Sequence, residues 1–139
     1  MISHLVAVGD IHGQSRKLLQ LLRLIEKYMA ENGKVCRRDW NLVFLGDYID
    51  RGPNSKDVVE IVRSLQKSGA ICLLGNHEDW AIKNEAPYDR DSLRSYEGIA
   101  GSAHQGLFRE HLAWFRTLPL FHRTENHFFV HGGSARHLT

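Results

Sequence analysis

WNLVFLGDYIDRGPNS, residues 40–55, passes from an apolar run into a glycine-flanked acidic loop and then into a helix start. Trp40–Leu45 reads as a buried strand, because a short apolar run bounded by turn residues suits a strand covered on both faces. Pro53-Asn54-Ser55 opens a helix, with Ser55 as its N-cap. Between them GDYIDRG, 46–52, occupies the carboxyl end of the strand. The same order recurs along the chain. Leu5–Val8 runs into GDIHG at 9–13, Ala70–Leu74 into GNHE at 75–78, and His127–Val130 into HGG at 131–133.

The segments between these runs are amphipathic. From Ser15 to about Ala30, Leu18, Leu21, Leu22, Ile25 and Met29 recur at helical spacing, and Asn32-Gly33 supplies the stop. A second helix carries Val58, Val59, Val62 and Leu65 inward and ends at Ser68-Gly69. Strand, helix, strand, helix, strand with short links predicts an α/β fold, a βαβαβ half built on a parallel sheet. The rest is less regular. Trp80–Asn84 reads as a short helix, Ala86–Gly106 as a polar irregular stretch and Phe108–Arg116 as a further helix broken by Leu118-Pro119-Leu120. In open α/β sheets ligands gather at the carboxyl ends of the strands, where all four motifs fall.

Bulk properties narrow the possibilities. A chain of 139 residues is expected to be one domain, 1–139, and 42% hydrophobic with 24% charged residues is ordinary for a globular protein. A net charge of +2 without a basic run argues against nucleic acid and against a membrane surface. No apolar stretch nears the roughly 18–20 residues of a membrane span. Met1 begins almost directly on a strand, so no signal peptide is expected and the cytoplasm is the expected compartment. Cys36 and Cys72 form no CxxC pattern, and Cys72, in an apolar run, is expected to be a buried inert thiol.

Asp10, His12, Asp47, Asn76 and His131 thus converge at strand ends. Carboxylate, amide and imidazole without thiolate favour Mn, Fe or Zn. Asp10 and His12 can serve one ion, Asp47 has two oxygens with which to bridge, and Asn76 with His131 suits a second ion. Two metals roughly 3.5–4 Å apart can activate a shared water and neutralise phosphate oxygens. His77, next to Asn76, is placed to protonate a leaving oxygen, with Asp50 accepting its other N–H and Arg51 offering a planar fork to phosphate. The pattern predicts metal-assisted phosphoester hydrolysis.

GDIHG, GDYIDRG, GNHE and HGG resemble the phosphoprotein phosphatase family of calcineurin-like metallophosphoesterases, above all its small bacterial and phage serine/threonine phosphatases. The resemblance implies a β-sandwich flanked by helices. It also implies the same division of labour: Asp10 and His12 on one metal, Asp47 bridging, Asn76 and His131 on the other. His77 becomes the general acid, Asp50 its partner and Arg51 the phosphate grip. Family members continue past HGG to a further phosphate-binding Arg and a further metal-binding His. Arg136 and His137 fall instead where the family has a loop. The domain is therefore expected to be cut short at its C-terminus, with an incomplete second sheet whose exposed apolar face invites association.

The other residues have blander expectations. His4, His104, His111, His122 and His127 lack ligand spacing and are expected at the surface or satisfied in the core. Trp80, Trp114 and Phe115 read as packing residues, and Glu78-Asp79 as a turn closure. The expected substrate is a phosphorylated protein or peptide. A symmetrical dinucleoside polyphosphate hydrolase, and a catalytically impaired remnant holding one metal or none, are the alternatives.

Overall fold

Five consecutive buried residues make β2 (Trp40–Phe44) the axis of the sheet. β1 (His4–Val8) and β3 (Ile71–Cys72) flank it, both parallel, in the order β1-β2-β3. His4 lies opposite Trp40 and Val8 opposite Phe44, while Val43 and Phe44 face Ile71 and Cys72. The structure is a computed structural model that describes residue 2 and residues 4–36, 38–83, 107 and 109–132. His104, Gly133, Arg136 and His137, and the polar stretch 86–106, lie outside the described residues.

Parallel pairing needs crossovers, and two helices provide them. α1 (Ser15–Glu31) joins β1 to β2, and α2 (Ser55–Lys67) joins β2 to β3. α2 buries Val58, Val59 and Val62 completely. In α1, Leu18 and Met29 are buried and Leu22 and Ile25 half-buried, but Leu21 is exposed. At about 100° per residue Leu21 stands roughly 60° around the helix from Leu18, off the edge of the stripe.

Three expectations change on contact with the structure. β1 is not a buried strand: only Val8 is buried, because among the described residues β1 has a neighbour on one side alone. β3 is two residues rather than Ala70–Leu74. The Leu73 amide still donates to the Phe44 carbonyl at 2.9 Å, but the Leu74 amide turns away to the Pro119 carbonyl at 2.9 Å. Ser55 is the first residue of α2 rather than its cap, and its hydroxyl accepts the Asp50 amide at 3.0 Å. Asn54 precedes the helix without a side-chain capping bond.

After β3 come α3 (Asn76–Lys83) and α4 (Arg109–Thr117), then an antiparallel hairpin of β4 (Phe121–Arg123) and β5 (Phe128–Val130). β4 was not legible as a strand: it is three residues long, and its Phe121 spends its ring stacked on Phe128 of β5, at 5.3 Å, rather than in the core. α4 is held to α2 by polar links that fit a packing role. His111, fully buried, bonds Glu60 through Nε2 at 2.5 Å, and the Trp114 indole N–H donates to Gln66 at 2.8 Å. Trp114 and Phe115 are core residues, and His111 is a satisfied core histidine. Cys72 is buried, and that burial pushes its thiol up to about 12, so it is inert as expected. Among the described residues no helix is long and apolar enough to cross a membrane.

The central strand sets the stability. Phe44 is fully buried, whereas Leu24 on α1 is 64% exposed. Phe44→Ala is expected to lower the unfolding free energy by about 3–5 kcal/mol, with Leu24→Ala within about 0.5 kcal/mol of wild type. Urea denaturation measures both, and equal effects would contradict a core centred on β2.

Candidate metal centre

The loops at the carboxyl end of the parallel sheet are stitched to one another through their backbones. The Ile11 and His12 amides both donate to the Asp47 carbonyl at 3.0 Å, and the Gly13 amide donates to the Tyr48 carbonyl at 2.8 Å. This approach requires glycine. A Cβ on Gly13, whose φ is +68°, would lie 2.9 Å from the Gly52 backbone, and a Cβ on Gly46, at φ +101°, would lie 2.5 Å from the Gly75 nitrogen. The first motif therefore interlocks with the second, and the second with the third.

Four residues without glycine's freedom also take positive φ: His12 (46°), Asp47 (57°), Asp50 (74°) and Arg51 (68°). Such positions cost on the order of 1–3 kcal/mol each and persist only where the surroundings enforce them. The Asp50 amide is held by the Ser55 hydroxyl, while Glu78 supplies that enforcement at Asp47. Its Oε1 accepts the amides of Asp47 at 2.6 Å and Gly75 at 3.2 Å, and its Oε2 those of Tyr48 at 3.1 Å and Ile49 at 3.4 Å. Glu78 is fully buried. Burial, with the Asp47 carboxylate beside it, pushes its carboxyl up to about 8 against the opposing pull of these amides. Glu78 is thus no mere turn closure. The one available signal was its place beside His77 in GNHE, which gives no hint of burial.

Within this frame the predicted residues meet. His12 donates from Nδ1 to the Ile49 carbonyl at 2.8 Å, and His131 donates from Nδ1 to the Leu45 carbonyl at 2.9 Å. A carbonyl only accepts, so each ring carries its proton on Nδ1 and turns Nε2 toward the centre. Asp47 Oδ2 lies 3.6 Å from His12 Nε2 and 3.4 Å from His131 Nε2, between the two rings. Asp10 directs one oxygen to His12 Nε2 at 3.6 Å and the other to His131 Nδ1 at 3.8 Å. Asn76 is the first residue of α3 rather than the end of a strand, and its Oδ1 lies 2.8 Å from His131 Nε2.

These contacts set acceptor against acceptor. In this orientation the Asn76 carbonyl oxygen faces Asp47 oxygens and a ring nitrogen, an arrangement that a cation between them relieves. With the amide turned over, Nδ2 would instead donate to both Asp47 oxygens, at 3.1 and 3.0 Å, and to His131 Nε2 at 2.8 Å. Two sets of ligand atoms, Asp10–Asp47–His131 and His12–Asp47–His77, each lie within 4.8 Å of one another, and they share Asp47. Oxygen and imidazole donors without thiolate suit divalent transition metals. A third such set, Glu60–Glu110–His111, is a different matter. Arg63 lies 3.6 Å from Glu60 and 3.9 Å from Glu110, so a guanidinium already supplies positive charge there.

His77 stands at the edge of the cluster. Its Nδ1 is 2.6 Å from Asp50 Oδ2, and its backbone amide donates to Asp47 Oδ1 at 3.1 Å. Asp50 is fully buried and His77 nearly so. The ring meets His12 edge-on, with centroids 4.7 Å apart, and Trp80 at the same distance. Trp80 is 41% exposed, which departs from the packing role expected of it. Arg51 is exposed on the same loop and makes no ion pair among the described residues.

Glu78→Gln tests the clasp. The amide would set N–H donors against the Tyr48 and Ile49 amides, so the variant is expected to lose about 1–3 kcal/mol in thermal unfolding. Mn²⁺ titration calorimetry should show weakened binding as Asp47 loosens. Unchanged affinity in a destabilised variant would limit Glu78 to the fold.

Comparison with known proteins identifies what the chain resembles as a whole. A family model described as calcineurin-like phosphoesterase matches residues 3–139. The chain is 31% identical over 128 residues to a symmetrical bis(5'-nucleosyl)-tetraphosphatase from Methylococcus capsulatus, covering 91% of this chain and 42% of that protein. It is also 31% identical over 139 residues to serine/threonine-protein phosphatase 7 of Arabidopsis thaliana, covering 97% and 31%. A protein serine/threonine phosphatase structure from Saccharomyces cerevisiae superimposes with a TM-score of 0.58 at 26% identity, covering 93% of this chain and 38% of that one. The chain thus spans less than half the length of these relatives.

Proposed function

Because the chain belongs to the calcineurin-like phosphoesterase family, we propose that it hydrolyses phosphomonoesters at this centre, with phosphoserine or phosphothreonine in proteins as substrate. The observation that carries the reading is Asp47, whose Oδ2 lies between the two imidazoles, 3.6 Å from His12 Nε2 and 3.4 Å from His131 Nε2, beside the His77–Asp50 pair. Asp10, His12 and Asp47 would hold one divalent cation; Asp47, Asn76 and His131 would hold the other. Mn is the proposed occupant, and the mixed oxygen and imidazole donors suit Fe or Zn as well. Bound cations supply Lewis-acid activation of water and neutralise phosphate oxygens.

The chain's own residues do the rest. Asp50 accepts the Nδ1 proton of His77 and holds the ring so that Nε2 faces the leaving oxygen, to which it gives a proton. The carbonyl bonds of His12 and His131 keep both imidazoles in the ligand tautomer. Arg51 takes two phosphate oxygens in a planar fork.

The tetraphosphatase relative supports a second reading, hydrolysis of a dinucleoside tetraphosphate by the same residues. Turnover of a phosphothreonine peptide against diadenosine tetraphosphate, each with Mn²⁺, separates the two. Metal analysis separates both from a remnant that holds one metal or none. Two equivalents of metal with turnover support the proposal, and one equivalent without turnover overturns it.

Two substitutions divide the roles. Asp47→Asn is expected to reduce the bound metal below two equivalents and abolish activity. His77→Asn should keep both equivalents while kcat falls by about 10²- to 10⁴-fold. Wild-type rates in either variant would contradict the mechanism.

A further inference from the structure

Of the three tryptophans, Trp40 and Trp114 are buried at 3% and 9% exposure, but Trp80 is 41% exposed. Three residues after His77 on α3, its indole lies against the imidazole with centroids 4.7 Å apart at 52°. Two other neighbours of that ring are among the described residues. Asp50 holds Nδ1, and His12 meets the ring edge-on. A leaving oxygen that takes a proton from Nε2 must come within hydrogen-bonding distance of it, about 2.6–3.2 Å. The exposed indole packs on that same imidazole, which makes it a candidate neighbour for whatever is bonded to that oxygen.

We propose that Trp80 selects the leaving group, favouring a ring bonded directly to the ester oxygen, an aryl phosphate, over an alkyl phosphate of similar size. The inference rests on His77 as proton donor and extends beyond phosphoserine and phosphothreonine, whose leaving groups are alkyl. Aromatic rings pair favourably with centroids about 4.5–7 Å apart, and a ring on the leaving oxygen has that geometry available against Trp80. A saturated ring of equal bulk gains only contact area. The competing role is a cover that keeps water from the His77–Asp50 pair, and such a cover would serve every substrate alike.

The test uses the Mn²⁺-loaded chain with benzylphosphonate, whose methylene replaces the ester oxygen, and cyclohexylmethylphosphonate as its saturated counterpart. Binding is read from intrinsic fluorescence in wild type and calorimetrically in the variants. Turnover of phenyl and cyclohexyl phosphate is measured alongside. Trp80→Ala is expected to weaken benzylphosphonate binding about three- to tenfold and the saturated ligand less than twofold. Trp80→Phe should keep most of the preference, whereas Trp80→Leu, which restores bulk without a ring, should not. Equal losses for both ligands, or rescue by leucine, would overturn the assignment and leave phosphoesterase activity intact. A Trp80-dependent binding preference in a chain that turns over neither ester would overturn leaving-group selection, whereas turnover of the phosphothreonine peptide decides the phosphatase reading separately. Failure to bind either phosphonate would overturn both.

Discussion

Four backbone amides converge on the Glu78 carboxylate, and the geometry of the candidate site depends on that convergence. Asp47, Tyr48 and Ile49 turn sharply out of the buried central strand, a conformation an unsupported loop would abandon. The buried carboxylate gathers their N–H groups and ties them to Gly75, the residue that opens the third loop. From this follow the direction of the Asp47 side chain, the exposure of the Ile49 carbonyl to His12, and the seating of α3. Binding chemistry and loop architecture are here one network. Burying a carboxyl group is costly, and its four bonds from amides offset the cost only if every partner stays in place.

The same logic explains why the cluster is rigid where it is and open where it is. His12 and His131 are each restrained by a carbonyl on the second motif's side of the sheet, so two imidazoles from distant parts of the chain take their bearing from one strand exit. Asp47 and Asp50 are buried beneath them. Asp10, Arg51 and Trp80, by contrast, are exposed.

Much of this was legible in the residues. Periodicity located α1 and α2 closely, since Val58, Val59 and Val62 obey helical spacing and are packed as that spacing demands. The short motifs placed Asp10, His12, Asp47, Asn76, His77 and His131 together because a parallel sheet brings its strand exits to one end. Cooperative features were not legible. Nothing in GNHE reveals that Glu78 is buried, nothing in Asn54-Ser55 shows which loop its hydroxyl will serve, and β4 is too short to carry a pattern. Trp80 reads as core by its type, and only its 41% exposure in the structure shows otherwise. Local signals predict elements; long-range partners decide what a side chain does.

The bond from His131 to Leu45 spans 86 residues, and Asn76 precedes His131 by 55. During synthesis the first three loops leave the ribosome well before their last companion. At about 5–20 residues per second the unfinished cluster waits roughly 3–11 s for it. Carboxylates and an imidazole are thus presented to the cellular metal pool before the geometry that discriminates among cations exists. Any preference among cations that depends on His131 and Asn76 acting together can operate only once that interval is over.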